Sequence, residues 1–314
     1  MPCRFAALGL AAIACIVIWA VMPWSVVSAA PPPTVVVTVA PIHSLVAGVS
    51  EGISTPFLLL EGGVSPHRYA MKPSQTAALQ EADLVVWVGE DLETFLARSL
   101  AAHGDDRPII TVMDLPSVTV YPARQGGVFH SAGDGHAAAD HPHGDPHVWL
   151  DAGNARAIVD AVADVLAGLD PGNASQYRRN AAALRARIDA LDARLTRTLA
   201  PLRDAPYVVF HDAYQGFERR YGLRAVGAVT VSPGRAPGAA RLVALRETIK
   251  RLGARCVFSE PQFPPRLVAT VTEGTGARSA VLDPLGADVA PGPEAWFIIM
   301  QRLATSLIEC LGPR

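Results

Sequence analysis

"NASQYRRNAAALRARIDALDARLTRTLAPL", residues 173–202, sets Leu184, Ile188, Leu191, Leu195 and Leu199 at steps of three and four, with Arg and Asp between them. That spacing predicts one amphipathic helix from about Ala174 to Leu202. At about 29 residues and 1.5 Å per residue it spans roughly 43 Å, against a mean of ~11 residues for helices of globular proteins. It carries one apolar stripe and lies past the middle of a 314-residue chain, between two stretches that share another pattern. It reads as a strut joining two halves.

Upstream, "TVVVTVAPIHSLVAGV" is a β-branched strand from Thr34 to Val39 that enters a helix near His43. "PFLLLEG" is the next strand, "KPSQTAALQEA" a helix with Ser74 as its expected N-cap, and "DLVVWVGE" a further strand. "HVWLDAGNARAIVDAVADVLAGL" is a helix started by Asp151 or Asn154 and stopped near Asp170. Downstream the alternation resumes: "YVVFHD", "AVGAVTV", "ARCVFSEP" and "SAVLDPLG" read as strands, and helical stretches follow each of them. Strands that are apolar throughout and alternate with helices require a parallel sheet covered on both faces, since a wet face would show polar residues at every second position. The expected fold is therefore α/β, with two lobes, each a parallel sheet covered by helices, joined by one long rigid helix. The boundaries are 34–172 for the first lobe, 173–203 for the linker helix and 204–314 for the second lobe.

Composition narrows the function. Lys and Arg number 27 against 29 for Asp and Glu, a formal charge of -2 with only 18% charged residues. No basic surface suited to nucleic acid follows from that balance. The start, "MPCRFAALGLAAIACIVIWAVMPWSVVSAAPPP", runs from Arg4 through an apolar stretch to small residues, the order of an export signal cut after Ala29. The other reading is an uncleaved anchor, because the apolar run approaches the ~20 residues that span a bilayer. Cleavage would remove Cys3 and Cys15, leaving Cys256 and Cys310. An even pair in an oxidising compartment points to a bridge, with two buried thiols as the alternative. Closing the ring from residue 256 to 310 would stabilise by roughly 4 kcal/mol on the chain-entropy model.

Histidine is where chemistry concentrates. Between about Ala123 and Pro146 no apolar period survives, and His130, His136, His141 and His143 accompany Asp134, Asp140 and Asp145 in a solvated His/Asp tract, a composition that attracts metal without fixed geometry. His147 follows it directly, before an apolar run. His67 follows the turn-like "EGGVSP", and His211 ends a predicted strand, as do Glu260 and Asp283. In parallel α/β sheets ligands gather at the carboxyl ends of strands, so those endings are functional candidates. No short zinc-finger spacing links them, and the compact His-Glu-x-x-His pattern of zinc hydrolases is absent. His43, among apolar neighbours, reads as a core histidine, and His103 as a surface one.

"VSPHRYAMKPSQTAALQEADLVVWVGEDLETFL", "DPHVWLDAGNA", "VVFHDAYQGFERRYGL" and "FSEPQFPPRLVATVTEGTGARSAVLDPLG" resemble, in consistent order from Thr34 to Arg314, the metal-specific solute-binding proteins of ABC importers, in particular their zinc-binding subgroup. The resemblance implies a metal in the cleft between two lobes. His67 and His147 would come from the first lobe and His211 from the second, with Asp283 as the candidate fourth ligand and Glu260 as a hydrogen-bond partner of a liganding imidazole. Some zinc-binding relatives carry an acid before the first histidine. Here that residue is Pro66, so the fourth position falls to Asp283 or to water, and Asp283 has a second reading as a turn cap. Manganese-binding relatives usually carry Glu at the position of His211, and imidazoles favour zinc over manganese. The implied function is extracytoplasmic capture of Zn2+ for an ABC permease and its ATPase, by a monomer and without catalysis. A manganese- or iron-binding member and an exported zinc hydrolase are the alternatives, and a metal-binding surface adhesin would share the fold.

Overall fold

Short apolar strands are stable only when covered on both faces, and in this computed structural model each half of the chain answers that demand in the same way. The structure describes residues 30–101, 107–124, 129, 143–230 and 237–313. The expected signal, residues 1–29, lies outside them, as do His103, His130, His136 and His141. The first half runs β1 (Val35–Val37), α1 (Ala40–Val49), β2 (Phe57–Leu58), α2 (Pro73–Glu81), β3 (Leu84–Trp87), α3 (Ala97–Ala101) and β4 (Ile109–Thr111). Its four strands are parallel, in the order β2-β1-β3-β4.

Then come α4 (Ala152–Leu169) and α5 (Ala174–Leu199), followed by β5 (Tyr207–Val209), α6 (Gln215–Tyr221), β6 (Ala225–Ala228), α7 (Ala239–Leu252), β7 (Cys256–Ser259), α8 (Arg266–Thr272), β8 (Arg278–Val281) and α9 (Ala295–Leu311). The second sheet is also all parallel, in the equivalent order β6-β5-β7-β8. In both sheets the direction in which strands are added reverses between the first and third strands in sequence order, β1 and β3, and β5 and β7. The crevice that such a switch opens lies beyond the carboxyl ends of β1 and β3, and of β5 and β7. Topology alone therefore puts the residues after β5 and β7 in a position to bind a ligand.

The two lobes share one core. On α5, Tyr177, Ala181, Leu184, Ile188, Leu191, Leu195 and Leu199 are all buried, in one apolar cluster with β1, β3, β5, α1, α4 and α9. A Cβ on Gly48 of α1 would lie 2.9 Å from Leu184 Cδ2, so that helix approaches α5 closely. Two fully buried tryptophans carry hydrogen bonds across the halves: Trp149 Nε1 donates to Pro284 O (2.8 Å), Trp296 Nε1 to Trp149 O (2.8 Å), and Trp296 N to Ser44 Oγ (2.9 Å). Cys256 of β7 and Cys310 of α9 are joined in a disulfide.

Local departures from the sequence reading have local causes. The long helix is α-helical only to Leu199 and closes with a 3-10 turn over Ala200–Leu202, because Pro201 has no N–H for the α ladder. Ser74 is not the cap of α2. The helix starts at Pro73, which needs no amide partner in the first turn, and Gln75 Oε1 takes the Lys72 N–H at 2.8 Å. Of the two candidates for the start of α4, Asp151 is the cap, accepting from Gly153 N and Asn154 N. β4, which three residues are too few to announce by periodicity, completes the first sheet. Among the described residues no helix is long and apolar enough to cross a membrane.

Because the core is continuous through α5, truncating it weakens both lobes. Ile188→Ala, at a fully buried position, is expected to lower stability by about 2–5 kcal/mol in a single denaturant transition seen by near- and far-ultraviolet circular dichroism. Two resolved transitions would show that the lobes fold independently.

Candidate metal centre

Three different local structures deliver three imidazoles to one point. Pro66 opens a 3-10 turn over Pro66–Arg68 that carries His67. At "DPHVW", Asp145 folds over the following residues: its Oδ1 accepts from His147 N (3.0 Å) and pairs with His147 Nδ1 (2.8 Å). The 3-10 turn Val148–Leu150 then buries that end of the segment in the core. His211 stands two residues beyond β5, at the carboxyl edge of the second sheet, and its Nδ1 lies 2.7 Å from Glu260 Oε1, which follows β7. The Tyr214 hydroxyl reaches the same Glu260 oxygen at 3.2 Å and Leu282 O at 3.1 Å.

A carboxylate only accepts, so Asp145 and Glu260 keep the Nδ1 protons of His147 and His211 in place and leave each Nε2 with its lone pair turned inward. Those two Nε2 atoms are 3.2 Å apart. Two nitrogens bound tetrahedrally at the usual zinc distances are separated by about 3.3 Å. The pair therefore stands at metal-binding separation, and His67 joins it with the ligand atoms of all three residues within 4.8 Å of one another. Among the described residues this is the group of three or more such side chains able to hold a metal ion.

The surroundings are tight. Ser65, Pro66, Phe263, Pro284 and Leu285 help enclose a void of about 10 Å³, close to the space one water-sized sphere needs. His147, His211, Asp145 and Glu260 are all buried. At His211 burial works to lower the pKa, and the charge and hydrogen bond of Glu260 outweigh it, so the imidazole sits above its ordinary range. Gly62, in the loop before His67, nearly touches the second lobe; a Cβ there would lie 2.3 Å from Ala287 O.

Asp283 does not join the cluster. Its Oδ1 accepts from Gln262 Nε2 (2.8 Å), Leu285 N (3.1 Å) and Gly286 N (3.0 Å), and its Oδ2 from Ala287 N (2.6 Å). The expected fourth ligand is thus a turn cap here, because an Asp-Pro at a strand end meets three free amides before any cation. His143 also stays apart, exposed and paired with Asp91 through its backbone N and its Nδ1, both at 2.9 Å. His43 is a buried core histidine with Nε2 3.0 Å from Pro56 O. Sequence reasoning placed Asp145 in the solvated tract and missed its hold on His147. The available signal was the Asp-Pro-His spacing, which suits an Asp side chain to the backbone two residues on.

Residues 35–310 match the family model described as "Zinc-uptake complex component A periplasmic". The chain is 40% identical over 314 aligned residues to the high-affinity zinc uptake system protein ZnuA of Brucella suis biovar 1, covering 88% of this chain and 91% of that one. With the protein of the same name from Yersinia pestis it shares 33%, covering 92% and 93%. Among solved structures, a crystal structure of ZnuA superposes with a TM-score of 0.74 at 26% identity, covering 90% of this chain and all of that one. The periplasmic zinc-binding protein TroA from Treponema pallidum, at 24% identity and a TM-score of 0.75, has the same fold.

The geometry dictates how protons and metal compete. With His211 held above its usual pKa, its proton persists to higher pH, and a cation must displace it. Metal affinity is expected to fall as pH drops through that raised range. In Glu260→Gln the raising charge is gone and burial remains, so the fall moves to lower pH. Above that range affinity is about 10–100-fold weaker, the usual effect of losing an imidazole's carboxylate partner. Chelator competition from about pH 5.5 to 8.5 measures both, and coincident profiles for the two proteins would refute this assignment of Glu260.

Proposed function

The chain belongs to the zinc-uptake complex component A family, and we propose that it captures Zn2+ between its lobes outside the cytoplasm and delivers it to an ABC permease driven by an ATPase. The observation that carries this reading is the cross-lobe pair of Nε2 atoms at 3.2 Å, each imidazole backed by a buried carboxylate. His67, His147 and His211 are the ligands, and a water completes the four-coordinate shell, since Asp283 is engaged by four donors.

Three neutral nitrogens favour zinc over manganese, which prefers carboxylate and carbonyl oxygen. A hydrolase would need room for a substrate beside the metal, and a void of about 10 Å³ offers no such room. The protein acts as a monomeric binder in the periplasm, exported by residues 1–29, with lobes 34–172 and 204–314 flanking the 173–203 connector. The tract with His130, His136, His141 and His143 serves as a weak accessory zinc loop. Deleting residues 130–143 is expected to remove low-affinity zinc and leave the tight site.

Competitive titration of zinc against manganese on the mature protein, with metal analysis of the product, tests the reading; a preference for manganese overturns it. His67→Ala and His211→Ala are expected to weaken zinc by about 100-fold or more, beyond the 10–100-fold typical of a lost hydrogen-bond partner. Asp283→Ala is expected to lower stability by about 1–2 kcal/mol through its orphaned turn amides, with far less effect on affinity than either histidine. A loss as large as that of His211→Ala would make Asp283 a ligand.

A further inference from the structure

The segment Tyr121–Arg124 belongs to the first half of the chain and lies against α6 of the second. Arg124 Nε donates to Asp212 Oδ1 (3.0 Å) and Oδ2 (2.9 Å), and its Nη2 also reaches Asp212 Oδ1. Its Nη1 donates to Glu218 Oε2 (2.7 Å) and its Nη2 to Glu218 Oε1 (3.3 Å). The Phe129 ring covers the guanidinium at 4.1 Å. Exposures of 20%, 13% and 3% for the Arg124, Asp212 and Glu218 side chains set this network apart from a solvated surface pair. Beside it, Gln215 Nε2 donates to Pro122 O at 3.1 Å and the Arg219 guanidinium stands 4.5 Å from the Tyr121 ring centroid.

Both ends of this strap reach the metal centre. Asp212 directly follows His211. At the other end Tyr121 O accepts from Asp145 N at 2.8 Å, and Asp145 holds His147. A continuous path of bonds and hydrogen bonds thus runs from His147 through Asp145, Tyr121 and Arg124 to Asp212 and His211 without passing through the metal position.

Resting on the zinc-binding reading, we infer that Arg124 is a positioning residue for the metal: it fixes the backbone of His211 relative to the turn of His147 and so maintains their ligand separation from the opposite lobe. Only a planar fork spans both carboxylates. Lysine keeps the charge and loses the fork, so Arg124→Lys separates positioning from electrostatics.

Zinc dissociation into excess chelator, alongside melting temperature, is the measurement. Arg124→Lys is expected to release zinc about tenfold faster, within the range for residues that orient metal ligands. Arg124→Met is expected to release it at least as fast. Asp212→Asn is expected to mimic Arg124→Lys, and the double variant to show less than the product of the two single effects. A purely electrostatic role predicts that Arg124→Lys matches the wild type and Arg124→Met binds more tightly, and either result overturns the inference. So does a lowered melting temperature with unchanged zinc release. Should Arg124→Met fail to fold, Arg124→Lys and Asp212→Asn decide alone. A wild-type protein that does not hold zinc refutes the functional reading itself, whereas unchanged release in Arg124→Lys from a wild type that does hold it refutes only this role.

Discussion

Two imidazole nitrogens facing one another at 3.2 Å, each ring fixed from behind by a buried carboxylate, form the constraint on which this molecule turns. With both Nδ1 protons committed to Asp145 and Glu260, the facing lone pairs repel unless something positive lies between them. The two carboxylates bring negative charge into a place where unpaired charge is costly. A proton on His211 answers part of that demand, which is why its pKa rises in spite of burial. A divalent cation would answer all of it, balancing the two carboxylates with three imidazoles placed to bind it.

Such a pair does not hold itself together, and the rest of the fold exists to keep it in register. His211 and Glu260 come from adjacent strands, β5 and β7, at the switch point of the second sheet, so their 2.7 Å contact follows from parallel pairing. His147 comes from the other half of the chain and needs a stiffer connection than a loop. The core running through α5, the Trp296–Trp149–Pro284 hydrogen bonds and the close approach of Gly62 to Ala287 supply it. Lobes that share one core and several buried hydrogen bonds favour a nearly preformed cleft over a wide hinge motion.

The architecture was legible because its signals are periodic. Leucines at steps of three and four place α5 to within a few residues, and unbroken Val and Leu runs declare buried parallel strands. The three histidines stood out only by their places beside such runs, His211 ending a strand, His147 before an apolar run and His67 after a turn, together with family resemblance, since gaps of many tens of residues carry no metal-site spacing. What escaped was side-chain direction. Asp145 looked like a member of a solvated tract, and Asp283 was left between ligand and turn cap, because sequence shows that a carboxylate is near a site but not which donors reach it first. Arg124 escaped for the same reason: nothing in "YPARQ" indicates that its partners lie in α6 and the loop before it, some ninety residues on.

The turn that Asp283 caps has a structural consequence of its own. By accepting from the amides of Leu285, Gly286 and Ala287, Asp283 shapes the loop that walls the metal void. That loop presents Pro284 O to Trp149, two residues after His147, and sets Ala287 O against Gly62, in the loop leading to His67. One capped turn of the second lobe thus touches the supports of both His147 and His67. A void of about 10 Å³ bounded in this way would leave little room for a fully hydrated ion or for the six to eight oxygens that calcium requires. Imidazole chemistry then disfavours manganese and magnesium. Exclusion of hard cations from such a site would therefore rest as much on the turn that Asp283 caps as on the three imidazoles.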